Sequence, residues 1–247
     1  MIAITTPEAL LALAVLGLVA IPWLHGVRHT VLLFFANLSF VMILALMPGA
    51  VVHDGVRQML SALPFLAALA GVGFFAITSW LLDTARRCEG IQRIPNLRVK
   101  ITAAVFLVAA FHPLIDLYLS HPFQLSYYNR LVGGIRGAYE RGLETTYFLE
   151  AITPGFIQIL NEKLPKNATV NALFANFMFE FYQNQGMLRR DIRFSSSGSS
   201  DFYLVLNRRS ALSPRDRQMM QGSLRPVESV GVAGVPLVAL FDVRKMP

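Results

Sequence analysis

The chain has 247 residues, enough for one or two domains, with 54% hydrophobic residues, only 15% charged residues and a formal net charge of +7. That average is too apolar for an ordinary soluble protein. A single cysteine, Cys88, excludes an intramolecular disulfide framework.

Four stretches contain no Asp, Glu, Lys or Arg: 9–24, 31–52, 58–82 and 101–115. A bilayer core about 30 Å thick needs roughly 20 mostly apolar helical residues. The second and third runs reach that length. The first reaches it with Pro7 and Glu8 at the interface, and the fourth when it continues towards Ser120. The pattern predicts four transmembrane helices, near 7–24, 31–48, 59–82 and 101–119. The first reads as a span and not a cleaved signal peptide, because no basic segment precedes it, Glu8 stands ahead of it and another span follows at once.

The 83–100 connection carries Arg86, Arg87, Arg93, Arg98 and Lys100 against Asp83 and Glu89. Short basic loops stay cytoplasmic. This connection is therefore expected inside, together with 25–30. Residues 49–58 and everything after Ser120 are then expected on the extracytoplasmic side of a bacterial inner or plasma membrane. Residues 121–247 hold 15 of the 22 Lys and Arg. No stacking-rich basic motif accompanies them, so nucleic acid is not an expected partner.

Residues 121–247 read as a small extracytoplasmic α/β domain. Apolar spacing predicts a helix over 149–164, stopped by Pro165, and a strand over 169–174. A second helix over 176–185 precedes Gly186, and a strand over 202–206 follows the SSSGSS loop at 195–200. Ser213-Pro214 predicts a capped helix start, and Ala233-Gly234 a hairpin turn between 227–232 and 235–243. The fold class expected is a membrane α-helical bundle of four spans followed by this α/β domain.

Two segments carry candidate chemistry. Between the second and third spans lies His53-Asp54-Gly55-Val56-Arg57. Arg57 offers a forked donor to phosphate and Asp54 an acceptor to a hydroxyl, although an Asp54–Arg57 pair capping the third helix is the competing reading. The second segment, HPFQLSYYNRLVGGIRGAYERGLETTYFLEA (121–151), stands where apolar sequence gives way to polar sequence. Gly133, Gly134 and Gly137 imply an ordered loop, and Tyr127 and Tyr128 suit headgroup depth. Glu140, Glu144 and Glu150 are candidate carboxylates or simple surface ion pairs. His112 and Asp116, four apart, share a helix face, with either a functional role or that of satisfying backbone freed by Pro113. No metal-ligand spacing, phosphate-binding Gly-Lys-Ser/Thr or nucleophile elbow is present, so no metal or cofactor is expected.

Three stretches together resemble the C-terminal half of the bacterial GT-C membrane glycosyltransferases related to dolichyl-phosphate-mannose–protein mannosyltransferases. They are VVHDGVRQMLSALPFLAALAGVG (51–73), the 121–151 segment, and VESVGVAGVPLVALFDVR (227–244). His53 stands where that family usually has Tyr, and Phe148 where it often has Trp. The resemblance implies transfer of a sugar from a polyprenyl-phosphate donor, held at His53, Asp54 and Arg57, to an extracytoplasmic acceptor. His121, Tyr127, Tyr128, Asn129, Gly133, Gly134 and Glu144 would then shape the seam between membrane part and outer domain. The family's catalytic acidic outer loop has no counterpart here. The chain is therefore expected to be a C-terminal portion, inactive alone, whose partners are membrane lipid, the polyprenyl-phosphate donor and a missing N-terminal half. The reading from another class is a non-catalytic membrane-anchored module that binds a glycan or a partner subunit.

Overall fold

The computed structural model describes residues 1–48, 57–91, 93–147, 149–196 and 200–245. The chain divides into two compact units. One comprises Met1–Leu119 with Asn129–Leu131, the other Ser120–Tyr128 with Val132–Pro247.

The first unit is helical: α1 (Ile2–Thr5), α2 (Glu8–Val19), α3 (Arg28–Leu46), α4 (Leu63–Arg86) and α5 (Leu97–Leu119). Arg28–Leu46, Met59–Arg86 and Leu97–Leu119 are long and apolar enough to cross a membrane. The run near 7–24 departs from a full span. Its helix has 12 residues, about 18 Å of rise, and gives way to a 3-10 turn over Ile21–Trp23. Pro22 supplies the reason, because it brings no N–H to the helical ladder and its ring conflicts with the carbonyl one turn back. Three membrane-length helices, not four, are thus seen among the described residues. They point to membrane association, and the exposure of their side chains agrees: α5 buries none of its residues, and Phe106, Val108, Phe111 and Leu114 are all exposed.

The bundle core is built from small and aliphatic residues. Ala14, Val31, Ala62, Leu66, Leu69 and Ala70 are buried together. Two glycines set the distance between α2 and α4. A Cβ on Gly73 would fall 1.8 Å from the Leu13 carbonyl oxygen, and one on Gly17 would fall 2.3 Å from that of Leu69. Only hydrogen fits at either position. Small residues at a helix crossing are the device by which helices associate in lipid, where apolar burial alone brings little.

The second unit is mixed α/β. Its helices are α6 (Gly134–Glu140), α7 (Pro154–Lys163), α8 (Asn176–Asn184) and α9 (Pro214–Gln218). Its strands are β1 (Thr169–Asn171), β2 (Arg193–Ser195), β3 (Phe202–Leu206), β4 (Glu228–Val232) and β5 (Val235–Asp242), in the order β2-β1-β3-β5-β4. β1 runs parallel to β2 and β3, while β5 is antiparallel to β3 and β4. Seven of the eight β5 residues are buried, as a central strand covered on both faces requires. One face packs Val205, Ala239 and Phe241 with Met219. Phe156, Ile157, Leu160 and Phe179 are buried elsewhere in the unit, and Phe179 stacks on Phe194 with ring centroids 4.1 Å apart.

Several local expectations hold, and the helix expected over 149–164 is shortened: α7 starts only at Pro154, where Thr153 caps it by accepting from the Phe156 N–H. Ser213 caps α9 as expected, and Asp216 returns the bond in a reciprocal capping box. Ala233 and Gly234 both take positive φ in the two-residue turn of the β4–β5 hairpin. Others shift. The strand expected over 169–174 stops at Asn171, whose side chain accepts from the Leu173 N–H and turns the chain into a 3-10 segment. The glycine-rich stretch expected as a loop becomes α6, entered through Gly133 and Gly134 at φ of 85° and 65°.

Candidate functional site

In the helical unit a polar cluster gathers around Arg130. Its guanidinium meets His112 Nδ1 at 3.0 Å and Asp116 Oδ1 at 3.1 Å, and its backbone N–H donates to Glu8. His112 and Asp116 do share a face of α5, and Arg130 is what joins them. Asn129, fully buried, positions it. The Asn129 amide donates to the carbonyls of Ala3 and Thr6 at 2.7 and 2.8 Å, and its backbone N–H donates to Ile4. These bonds satisfy carbonyls around the α1–α2 junction and fix the segment that carries Arg130. The start of α2 and the end of α5 therefore lie at one end of the bundle.

An apolar groove of about 400 Å³ adjoins this cluster, between α2, α4 and α5. Pro7, Leu10, Gly71, Phe74, Ala110 and Pro113 are among its walls. Pro7 precedes Glu8 and Pro113 follows His112, so two walls of the groove are chain neighbours of the charged group. Half of the Arg130 side chain is exposed, against 15% for Asp116. A cation anchored by one carboxylate, with its outer edge open beside an apolar channel, can take an anionic headgroup whose tail lies in the channel.

The second unit holds a different cluster. The hydroxyl of buried Tyr128 donates to the Glu144 carbonyl and lies 2.7 Å from the Tyr147 hydroxyl. Burial pushes the Tyr128 phenol above its ordinary range, against a smaller downward pull from the Tyr147 hydrogen bond. It is a neutral hydrogen-bonding group and not a base. The Glu144 carboxylate accepts from the Ser210 N–H at 2.7 Å. The Glu150 carboxylate accepts from the Thr146 hydroxyl and the Tyr147 N–H, and Glu140 pairs with Arg136 at 3.1 Å. These carboxylates hold the 140–150 loop in place.

The residues singled out in the sequence thus separate. His53, Asp54 and the Arg57 side chain lie outside the described residues, as does Phe148. Asn129 belongs to the helical unit. His121, Tyr127, Tyr128, Gly133, Gly134 and Glu144 belong to the other. His121 is exposed, with its Nδ1 2.9 Å from the Gln124 amide. Arg130 is not among the residues that the sequence pattern singles out, and Glu8 stands there only as an interfacial residue. The available signal was the His112–Asp116 pair itself, because an acid on an apolar helix needs a cation and Arg130 is the first one after it in the chain. No group of three His, Cys, Asp or Glu side chains with metal-binding geometry occurs among the described residues. No protein family, curated protein or solved structure matches the chain.

Proposed function

We propose that these residues form part of a membrane glycosyltransferase that moves a sugar from a polyprenyl-phosphate donor to an extracytoplasmic acceptor. The observation that carries this reading is an apolar groove whose walls Pro7 and Pro113 adjoin, in the chain, Glu8 and His112 of the Arg130 cluster, an amphipathic site for an amphipathic lipid phosphate. The donor tail lies along α2, α4 and α5. Its phosphate meets Arg130, and the resemblance adds His53, Asp54 and Arg57 as donor-binding residues. In the transfer a base takes the acceptor hydroxyl proton, the acceptor oxygen bonds to the sugar C1, and the C1–phosphate bond breaks. The departing phosphate's charge is stabilised by arginine. The base is contributed from outside these 247 residues, by a segment bearing the acidic outer loop. In this reading the 7–24 run completes a fourth crossing. The Arg130 end then faces the extracytoplasmic side and the 83–100 connection the cytoplasm.

Photolabelling with a reactive polyprenyl phosphate tests the donor site. Gly71 lines the groove and a Cβ there meets nothing within 4 Å, so Gly71→Leu fills the channel without forcing helices apart. Labelling should fall at least about tenfold, the equivalent of 1.4 kcal/mol; unchanged labelling would remove the groove from the donor site. Arg57→Ala should lower donor use when an upstream half is co-expressed. Sugar transfer by the chain alone would refute the external base.

A non-catalytic binding module is the second reading, and one observation favours it. Phe177 and Phe181, one turn apart on α8, are 61% and 53% exposed in the second unit. Pull-down of a partner lost on Phe177→Ser/Phe181→Ser, with no transfer under any condition, would decide for it.

A further inference from the structure

The opposite end of the bundle carries a feature that the donor reading does not use. The end of α4 and the start of α5 frame a cleft of about 520 Å³ lined by Leu82, Arg86, Asn96, Leu97 and Arg98. Successive backbone turns order the connection between the two helices: Arg87 N–H to Thr84, Cys88 N–H to Ala85, Ile91 N–H to Cys88 and Ile94 N–H to Ile91. Arg86 lies 4.0 Å from Asp83, the outer limit of an ion pair, and 62% of its side chain is exposed. Arg87, Arg93, Arg98 and Lys100 are exposed as well.

We propose that this cleft binds an anionic phospholipid, with the lipid phosphate between Arg86 and Arg98 and the acyl chains along the exposed apolar flanks of α4 and α5. Charge complementarity selects the occupant: five cations face two carboxylates, Asp83 and Glu89, in the 83–100 connection. Depth selects it again. The cleft sits at the ends of two membrane-length helices, where headgroup phosphates lie and where arginine stems run along apolar surface with their heads in the polar layer. Leu82 and Leu97 give the same cleft an apolar wall, which a free inorganic anion would not use. An orientation signal alone requires basic residues in this connection. It does not require two of them, on different helices, to flank one cavity.

Native mass spectrometry of the delipidated full chain, offered equal phosphatidylglycerol and phosphatidylcholine, tests the proposal. Retention should favour phosphatidylglycerol by about fivefold for each arginine engaged. Arg86→Gln/Arg98→Gln should abolish that preference, Arg86→Lys/Arg98→Lys should keep most of it, and Arg136→Gln should leave it unchanged. Equal retention of the two lipids by the unaltered chain, or an undiminished preference in the double Gln variant, overturns the proposal. So does displacement of phosphatidylglycerol by inorganic phosphate at low millimolar concentration, which would make the cleft a site for free anions. Equal retention by the unaltered chain overturns the proposal even if the double variant does not fold.

Discussion

The two units place their large and small residues in opposite ways. In the helical unit Ala14, Gly17, Ala62, Ala70 and Gly73 pack with aliphatic Val31, Leu66 and Leu69, while Trp80, Phe75, Phe106 and Phe111 are exposed. In the sheet unit Phe156, Phe179 and Phe241 are almost wholly buried. The difference follows from the solvent each surface is built for. In water, burying a phenyl ring contributes about 1.5–3 kcal/mol, so aromatics go inside. Lipid is as apolar as a phenyl ring, so burying one there gains nothing. Close approach of backbones and dispersion become the source of association, and small residues take the interface.

The largest expected effect sharpens this contrast. Phe179→Ala should cost the sheet unit about 3–5 kcal/mol, because it removes a ring stacked at 4.1 Å on Phe194 and leaves a cavity. Phe75→Ala, on the exposed face of α4, should leave stability in detergent within about 0.5 kcal/mol. Denaturant titration followed by tyrosine fluorescence and by helical circular dichroism measures the pair; equal losses would break the contrast. Gly73→Leu comes next. Its side chain must begin 1.8 Å from a carbonyl oxygen, so α2 and α4 separate, at about 1–3 kcal/mol or more. Gly71→Leu, two residues away with open space, is the control. If thermal inactivation in detergent did not distinguish the two glycines, the close α2–α4 crossing would be wrong.

That glycine pair also marks a limit of sequence reading. The apolar runs were visible because charge is absent from them, and the hairpin and the α9 cap because Ala-Gly and Ser-Pro carry local backbone preferences. What lay beyond reach depended on tertiary placement. Nothing local distinguishes Gly71 from Gly73; only the position of Leu13 does. β2 escaped notice because three residues are too few to alternate detectably, and it exists by pairing with β1. The Arg130 cluster draws on residues from 8 to 130, joined by no periodicity. Glu8 read as an interfacial residue because its acceptor role depends on a backbone N–H far along the chain. In the sequence, Tyr127 and Tyr128 suit headgroup depth. Tyr128 is instead a buried strut, and only its burial reveals that.

The smallest effect concerns another tyrosine of the sheet unit. Burial, with a hydrogen bond to Asp216 behind it, pushes the Tyr203 phenol up to about 12. The neutral form is therefore favoured by the folded state over the unfolded chain, whose phenol titrates near 10. A group with its folded value raised contributes stability that is complete below pH 10 and is lost as pH rises towards 12. Unfolding free energy of the sheet unit should decline across that window, and Tyr203→Phe should reduce the decline, the raised Tyr128 phenol keeping its share, while leaving the Ser213–Asp216 capping box intact. Among the described residues the core of the helical unit holds no such buried phenol, so its detergent stability should change less over the same range. Urea titrations at pH 9, 10.5 and 11.5 on both proteins provide the measurement. An unchanged slope in the Phe variant would mean that Tyr203 ionises as freely in the fold as out of it, and that Asp216 is held by the cap alone.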